Sequence, residues 1–267
     1  MDATVIVRAK NAAGTIEQTL EAMRAQTVRA ELLVVDSGST DGTLEIALRR
    51  ADRVVQIPPE QFTFGRALNV GAREARGEVH FALSSHCRPE RDDWIERSLA
   101  HYSRPDVAAT CGVREFPDGT QVESVVYEDL EQARAHPEWG FSNHASSWRA
   151  DVWKRFPFDD HIPAAEDREW SWRVLGADMT IALDPELWVD LSHRWKSARE
   201  AYRRGRLEWP ALASFAHLQR YGLRELADEW WNEMPDQRHS KLFHRLNYRR
   251  WAELAGKYRG LAVTRSV

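Results

Sequence analysis

Short runs of β-branched and aliphatic residues alternate, over the first 115 positions, with stretches whose apolar residues recur at helical spacing. Thr4-Val5-Ile6-Val7 predicts a buried parallel strand. After a turn at Asn11 to Gly14, Thr15-Ile16-Glu17-Gln18 reads as a capping box, the Thr15 hydroxyl accepting from the Gln18 amide. Ile16, Leu20 and Met23 mark the helix behind it. Glu31 to Val35 predicts a second strand, Leu44, Ala47, Leu48 and Ala51 a second helix, and Arg53 to Ile57 a third strand. Strand, helix, strand, helix, strand is a doubly wound α/β beginning.

Beyond Pro58-Pro59, Phe62 to Ala72 predicts a loop running into a helix that stops near Gly77. Val79 to Leu83 predicts a strand, Trp94, Ile95 and Leu99 a helix, and Val107 to Val113 another strand. From about residue 120 the alternation loosens. Glu123 to Ala135 reads as helix, Phe141 to Trp148 as extended, Glu166 to Leu175 as helix, and Thr180 to Leu183 and Leu187 to Val189 as strands. The rest reads as helical: one amphipathic stretch carries Leu212, Phe215, Leu226 and Trp230 with a break near Gly222, another Phe243, Leu246, Leu254 and Tyr258.

At 267 residues and 43% hydrophobic, the chain can bury a large α/β core. No apolar run approaches the roughly 18 residues of a membrane span, and no secretory pattern precedes the first strand. Cys87 and Cys111, without a CxxC, read as structural thiols. The expected location is cytoplasmic, with a peripheral position at a membrane surface as a further option. Charge is unevenly placed. Residues 1–195 carry 22 Lys and Arg against 33 Asp and Glu, a balance of −11; residues 196–267 carry 15 against 8, a balance of +7. A basic tail either packs on the acidic body or faces a partner of its own.

Two segments carry chemistry. Asp36 ends the second strand and opens the turn Ser37-Gly38-Ser39-Thr40-Asp41-Gly42-Thr43, the place where open α/β sheets bind ligands. Its carboxylate suits a ribose hydroxyl or base imide, whereas Asp41 and Thr43 suit the helix cap. Far downstream, Glu166-Asp167 opens a helix with Trp170 and Trp172 nearby. Carboxylates are common at helix N-termini for electrostatic reasons alone, but here one is also suited to deprotonate an acceptor.

In combination these segments resemble a family 2 glycosyltransferase with a GT-A fold. The resemblance rests on Val5-Ile6-Val7-Arg8-Ala9-Lys10-Asn11, on Gln26-Thr27, on Val34 to Thr43, on Asn69-Val70-Gly71-Ala72 with Ala75-Arg76-Gly77-Glu78, and on Ala165-Glu166-Asp167-Arg168-Glu169-Trp170. It covers roughly residues 3–195. Phe64-Gly65-Arg66-Ala67-Leu68-Asn69 and the Ser-His before a proline resemble the rhamnosyltransferase-like branch. The implied fold is a Rossmann-like α/β domain whose mixed, mostly parallel sheet is flanked by helices, with a helical C-terminal extension. Residues 1–115 would be the nucleotide-sugar half, 116–195 the acceptor half and 196–267 the basic extension.

The resemblance also implies roles. Asp167 would be the base of an inverting transfer, with Glu166 orienting substrate. Ala9, Asp36, Ser37, Arg66, His86 and Arg194 would bind the nucleotide sugar, Ser37 standing where many relatives carry a second aspartate. Asn143, Trp148 and Trp170 would meet the acceptor. Ser84-Ser85-His86 replaces the usual Asp-x-Asp, so a divalent metal held by His86 and His193 would be Mn²⁺ rather than Mg²⁺. Alternatively, His86 as imidazolium offsets the diphosphate directly. Expected partners are a nucleoside diphosphate sugar, dTDP-rhamnose or another deoxysugar among them, and a glycan, lipid-linked or small-molecule acceptor. A homodimer through the C-terminal helices is also expected, and nucleic acid is not. A non-catalytic nucleotide-sugar-binding protein with a degenerate metal site is the alternative.

Overall fold

In the computed structural model the described residues are 1–116, 119–137, 139–191, 197–216, 222–232 and 248–263. Chain contacts divide it into two compact units, residues 1–162 with 166–193, and residues 163–165 with 194–267.

In the larger unit, strands β1 (Ala3–Ala9), β2 (Glu31–Asp36), β3 (Arg53–Gln56) and β4 (Val79–Ser84) lie parallel in the order β3-β2-β1-β4. Beyond β4 the sheet becomes mixed. Strand β8 (Ala145–Arg149) is antiparallel to both β4 and β6 (Val107–Cys111), β9 (Thr180–Leu183) is parallel to β6, and β7 (Val126–Glu128) closes the edge antiparallel to β9. The expected mixed, mostly parallel sheet is therefore present. A separate ribbon pairs β5 (Cys87–Pro89) with β10 (Val189–Leu191).

Alternate residues of each strand feed opposite sides, as a pleat requires. Ile6, Leu33, Val35 and Ala82 join one core cluster with Leu68 of α3 (Phe64–Glu74), Val152 of α6 (Ala150–Arg155) and Trp170 of α7 (Glu166–Leu175). Val5, Val7, Leu32, Val34 and Phe81 join the other, with Leu20 of α1 (Ile16–Arg24), Ala47 of α2 (Thr43–Arg50) and Trp94 of α4 (Trp94–His101). The result is three layers, helix, sheet and helix.

Several local readings are corrected. Thr15 makes no capping bond to Gln18; its hydroxyl donates to the Ala12 carbonyl instead. The 123–135 segment is strand β7 followed by α5 (Leu130–Ala135), the helix starting where Asp129 and Gln132 form a true capping box. Extended structure in the 141–148 stretch begins only at Ala145. Leu187 ends a 3-10 turn, and the strand after it starts at Val189.

The smaller unit holds α8 (Ala198–Phe215), α9 (Leu223–Asn232) and α10 (Tyr248–Val263). Helix α8 starts on a capping box formed by Ser197 and Glu200, and α9 starts after Gly222, as the sequence break suggested. Glycine brings α8 and α10 together at backbone distance: a Cβ on Gly205 would sit 2.5 Å from the Glu253 carbonyl, and one on Gly256 would strike the Tyr202 carbonyl. Phe243 and Leu246 lie outside the described residues.

Candidate active site

The parallel strands end in step. Ala9 is level with Asp36 and Arg8 with Ser84, so the carboxyl ends of β1, β2 and β4 form one rim. Two loops leave this rim and are stitched to each other. The Asn11 amide donates to Ser39 Oγ, the Thr40 amide to Asn11 Oδ1, the Ala12 amide to Thr43 Oγ1 and the Ala13 amide to Asp41 Oδ2. Asp41 and Thr43 thus serve structure, as their types suggested.

Asp36 is 1% exposed and is enclosed by its own turn. Its Oδ2 accepts from the Gly38 and Ser39 amides, both at 3.0 Å, and its Oδ1 accepts from Ser39 Oγ. The carboxylate expected to meet ribose is engaged in shaping the loop. Ser37 is equally buried, and its amide closes the Ala9 carbonyl at 3.0 Å. Ala9, Asp36 and Ser37 therefore form the wall of a pre-organised turn.

The second half of the site assembles around Arg8, which the motif reading passed over. Its signal was a cation between Val7 and Ala9, at the end of a strand otherwise buried on both sides. Arg8 Nη1 lies 3.8 Å from Glu166 Oε1, and Nη2 donates to the Asn143 carbonyl at 2.5 Å. The Asn143 amide in turn donates to Asp167 Oδ2 at 3.2 Å, while the Arg168 amide donates to Asp167 Oδ1 at 2.9 Å. One guanidinium thus links the rim of the sheet to the first turn of α7. Ala165, just before that turn, holds a left-handed φ of 59°, a conformation that is uncommon for a residue with a side chain.

The two carboxylates are placed differently. Glu166 is 5% exposed, and its carboxyl is raised above the ordinary range by burial and by neighbouring Asp167, with Arg8 and the Asn143 side chain opposing. Asp167 is half-buried. His144, four positions before Trp148, belongs to the same cluster although it was not singled out. Burial pushes its imidazole down to about 4, Asp167 opposing and the charges of Arg8, Arg168 and His86 adding to the effect. Its Nδ1 lies 2.7 Å from Ser142 Oγ, and its carbonyl accepts from the Ser84 amide at 2.9 Å. His86 is half-buried in the turn between β4 and β5 and is near enough for its charge to act on His144.

The three residues expected to meet the acceptor are all buried. Trp148 and Trp170 are fully buried and pack on Phe158 at ring distances of 5.1 and 5.2 Å, because aromatic bulk fills the space between the sheet and α7. Neither ring is exposed to solvent. Asn143 is 1% exposed and acts through its backbone on Arg8 and Asp167. Arg66 sits in the first turn of α3 with Nη2 donating to Gln61 Oε1 at 3.1 Å. His193 and Arg194 lie outside the described residues.

Among the described residues, no three His, Cys, Asp or Glu side chains converge as metal ligands. The charges that act on His144 include, besides His86, the cations Arg8 and Arg168, and Glu166 is turned to Arg8. These residues alone do not fit a resident divalent cation. No helix among them is long and apolar enough to cross a membrane.

Known proteins agree with this architecture. Residues 4–154 match the family model for glycosyl transferase family 2. The chain is 30% identical over 198 residues to glycosyltransferase AglE of Haloferax volcanii, a match covering 68% of this chain and 64% of that protein's length. It is 27% identical over 220 residues to the O-antigen chain rhamnosyltransferase WbaN of Salmonella anatum, covering 75% of this chain and 69% of that one. Among solved structures, the mannosyltransferase PcManGT of Pyrobaculum calidifontis, in complex with GDP-Man and Mn²⁺, superposes with a TM-score of 0.65. That likeness, at 19% identity, covers 99% of this chain and 75% of the other. The sheet order, the matched segment and these relatives agree: the fold is GT-A, and the chain belongs to glycosyl transferase family 2.

Proposed function

We propose that this chain is an inverting glycosyltransferase, moving a sugar from a nucleoside diphosphate sugar to an acceptor hydroxyl with Asp167 as base. A dTDP-deoxysugar such as dTDP-rhamnose is the proposed donor, in keeping with the name of the rhamnosyltransferase relative. Residues 1–115 would hold the donor, 116–195 the acceptor, a glycan or lipid-linked sugar, and 196–267 would be an attached helical extension.

The observation that carries the reading is the fixed carboxylate of Asp167. Two backbone amides, one from its own helix and one from the Asn143 loop, hold both oxygens in a single orientation. Its half-buried position leaves it open to an acceptor, whereas Glu166 is closed in against Arg8. The acceptor oxygen attacks the anomeric carbon from the face opposite the diphosphate. Its proton passes to Asp167, the new C–O bond forms, and the bond to the diphosphate oxygen breaks with its electron pair. His86, and Arg66 from the start of α3, are the proposed groups to meet the departing charge.

Asp167→Asn is isosteric and removes the proton acceptor together with one of the two amide bonds, since Nδ2 cannot accept. Turnover should fall roughly 10²–10⁴-fold, with donor affinity unchanged within twofold. The assay is product formation alongside calorimetric titration of UDP-, GDP- and dTDP-sugars, each with Mn²⁺, Mg²⁺ or EDTA. An Asp167→Asn enzyme that turns over within a few-fold of the parent ends the assignment.

A further inference from the structure

With Trp148 and Trp170 in the core, the exposed aromatic surface beside the charged cluster is Phe64. It opens helix α3 and is 46% exposed, although a phenyl ring gains from burial wherever the fold permits it. Its placement is enforced from several sides. Thr63 caps the helix by accepting from the Arg66 amide and donates to the Asp160 carbonyl, both at 3.0 Å. Gly65 presses so closely on the 159–160 backbone that an added Cβ would strike the Asp159 carbonyl. Phe62 meets the Phe64 ring edge-on at 5.2 Å. The Arg8 guanidinium lies over the ring, 5.9 Å from its centroid, and this is the same guanidinium that holds Glu166 and the Asn143 loop. The ring is therefore a rigid, half-open apolar surface next to fixed carboxylates.

A molecule that fits this pairing is apolar on one face and hydroxylated at its edges. We infer that Phe64 is the platform on which the C–H face of a pyranose ring stacks, with its hydroxyls turned toward the Glu166–Asp167 turn. C–H groups are attracted to the electron-rich face of an aromatic ring, and hydroxyl edges need charged or carbonyl partners. The pairing favours a pyranose over a nucleobase, since the Arg8 beside the ring also carries Glu166, a partner for hydroxyl edges. The inference deepens the glycosyltransferase reading and rests on it. The pyranose is either the sugar of the donor or that of the acceptor.

Phe64→Ala, Phe64→Leu and Phe64→Trp test it, since the side chain is exposed and its loss leaves the core intact. Titrations compare dTDP with dTDP-rhamnose, UDP with UDP-glucose and GDP with GDP-mannose; initial rates use p-nitrophenyl hexosides as acceptors. If the platform holds the donor sugar, Phe64→Ala weakens a sugar nucleotide tenfold or more and leaves the bare diphosphate unchanged. If it holds the acceptor, KM for the hexoside rises by that factor at constant donor affinity. Either way Phe64→Trp restores binding to within threefold, and Phe64→Leu only in part.

Equal weakening of bare nucleotide and sugar nucleotide assigns the ring to the base and overturns the inference. So does a change below twofold in every arm. Saturation-transfer NMR with methyl hexopyranosides separates this outcome from failure of the parent reading. A signal lost in Phe64→Ala keeps the platform even if the parent enzyme transfers nothing; a signal equal in both proteins removes it.

Discussion

Asn69 stands in a segment that carries the family resemblance, yet its side chain holds the fold together away from the reacting groups. It is 4% exposed. Its Nδ2 donates to the Phe158 carbonyl at 2.7 Å, and its Oδ1 accepts from Trp153 Nε1 at 2.9 Å and from the Phe158 amide at 3.1 Å. One side chain thus satisfies three buried groups of the segment that leads into Asp159 and Asp160. In Asn69→Ala all three lose their partner at once. A buried polar group left unmade costs about 1–3 kcal/mol, and water admitted to the vacated space recovers part of that. The expected loss is roughly 3–5 kcal/mol, a large share of the ~5–15 kcal/mol that holds a typical domain. Urea unfolding followed by tryptophan fluorescence and circular dichroism reads it as a lower midpoint at constant slope. Trp153→Phe removes one donor but leaves Oδ1 bonded to the Phe158 amide, so it should cost about 1 kcal/mol. In the Asn69→Ala background the same change should cost less, since the bond is already gone. An Asn69→Ala protein within 1 kcal/mol of the parent, or strictly additive costs, would refute the three-bond account.

Two buried carboxyls should give opposite pH signatures. Glu128 is 1% exposed, and its carboxyl is raised to about 7 by burial, with Asp129 adding and Arg168 opposing. The folded state therefore binds more protons than the unfolded, and stability declines as pH rises from about 4.5 to about 7. Glu128→Gln should flatten that slope and gain up to ~3 kcal/mol at pH 8, with little change at pH 4; an unaltered urea profile would count against it. Asp184 is fully buried, and although burial alone would raise its carboxyl, hydrogen bonds from His101 and Arg97 hold it at about 2. Its contribution is present above about 4 and lost as pH falls toward 2. Asp184→Asn should cost ~2 kcal/mol at pH 7 and almost nothing at pH 2, as read by thermal unfolding; equal costs at both values would contradict the pairing.

Much of the framework was legible in one dimension. The apolar runs at Val5, Leu32, Val54, Phe81 and Ala108 are strands, and the helical periods at Leu20, Ala47 and Trp170 are helices, because burial on a sheet or on one helix face imposes its own period. Failures fell where local signals compete. Thr15 and Gln18 carry the residue types of a capping box, but the Thr15 hydroxyl bonds to the preceding turn. Between 123 and 135 the strand β7 is three residues long, too short to show an alternation.

At the site the division is sharper. Read in one dimension, the chain already has a carboxylate pair opening α7, an acidic turn after β2 and a family 2 pattern through both. These are properties of residue type and order along the chain. Tertiary structure alone decided how the groups divide the work. Packing against Phe158 took Trp148 and Trp170 into the core. The Asp36 carboxylate closed on its own turn, and Arg8 drew Glu166 inward while Asp167 stayed half-open. Exposure and electrostatic environment depend on neighbours distant in sequence: Arg8 meets residue 143 across 135 positions. No local pattern encodes such a meeting, because it exists only once the sheet has brought its strand ends to one rim.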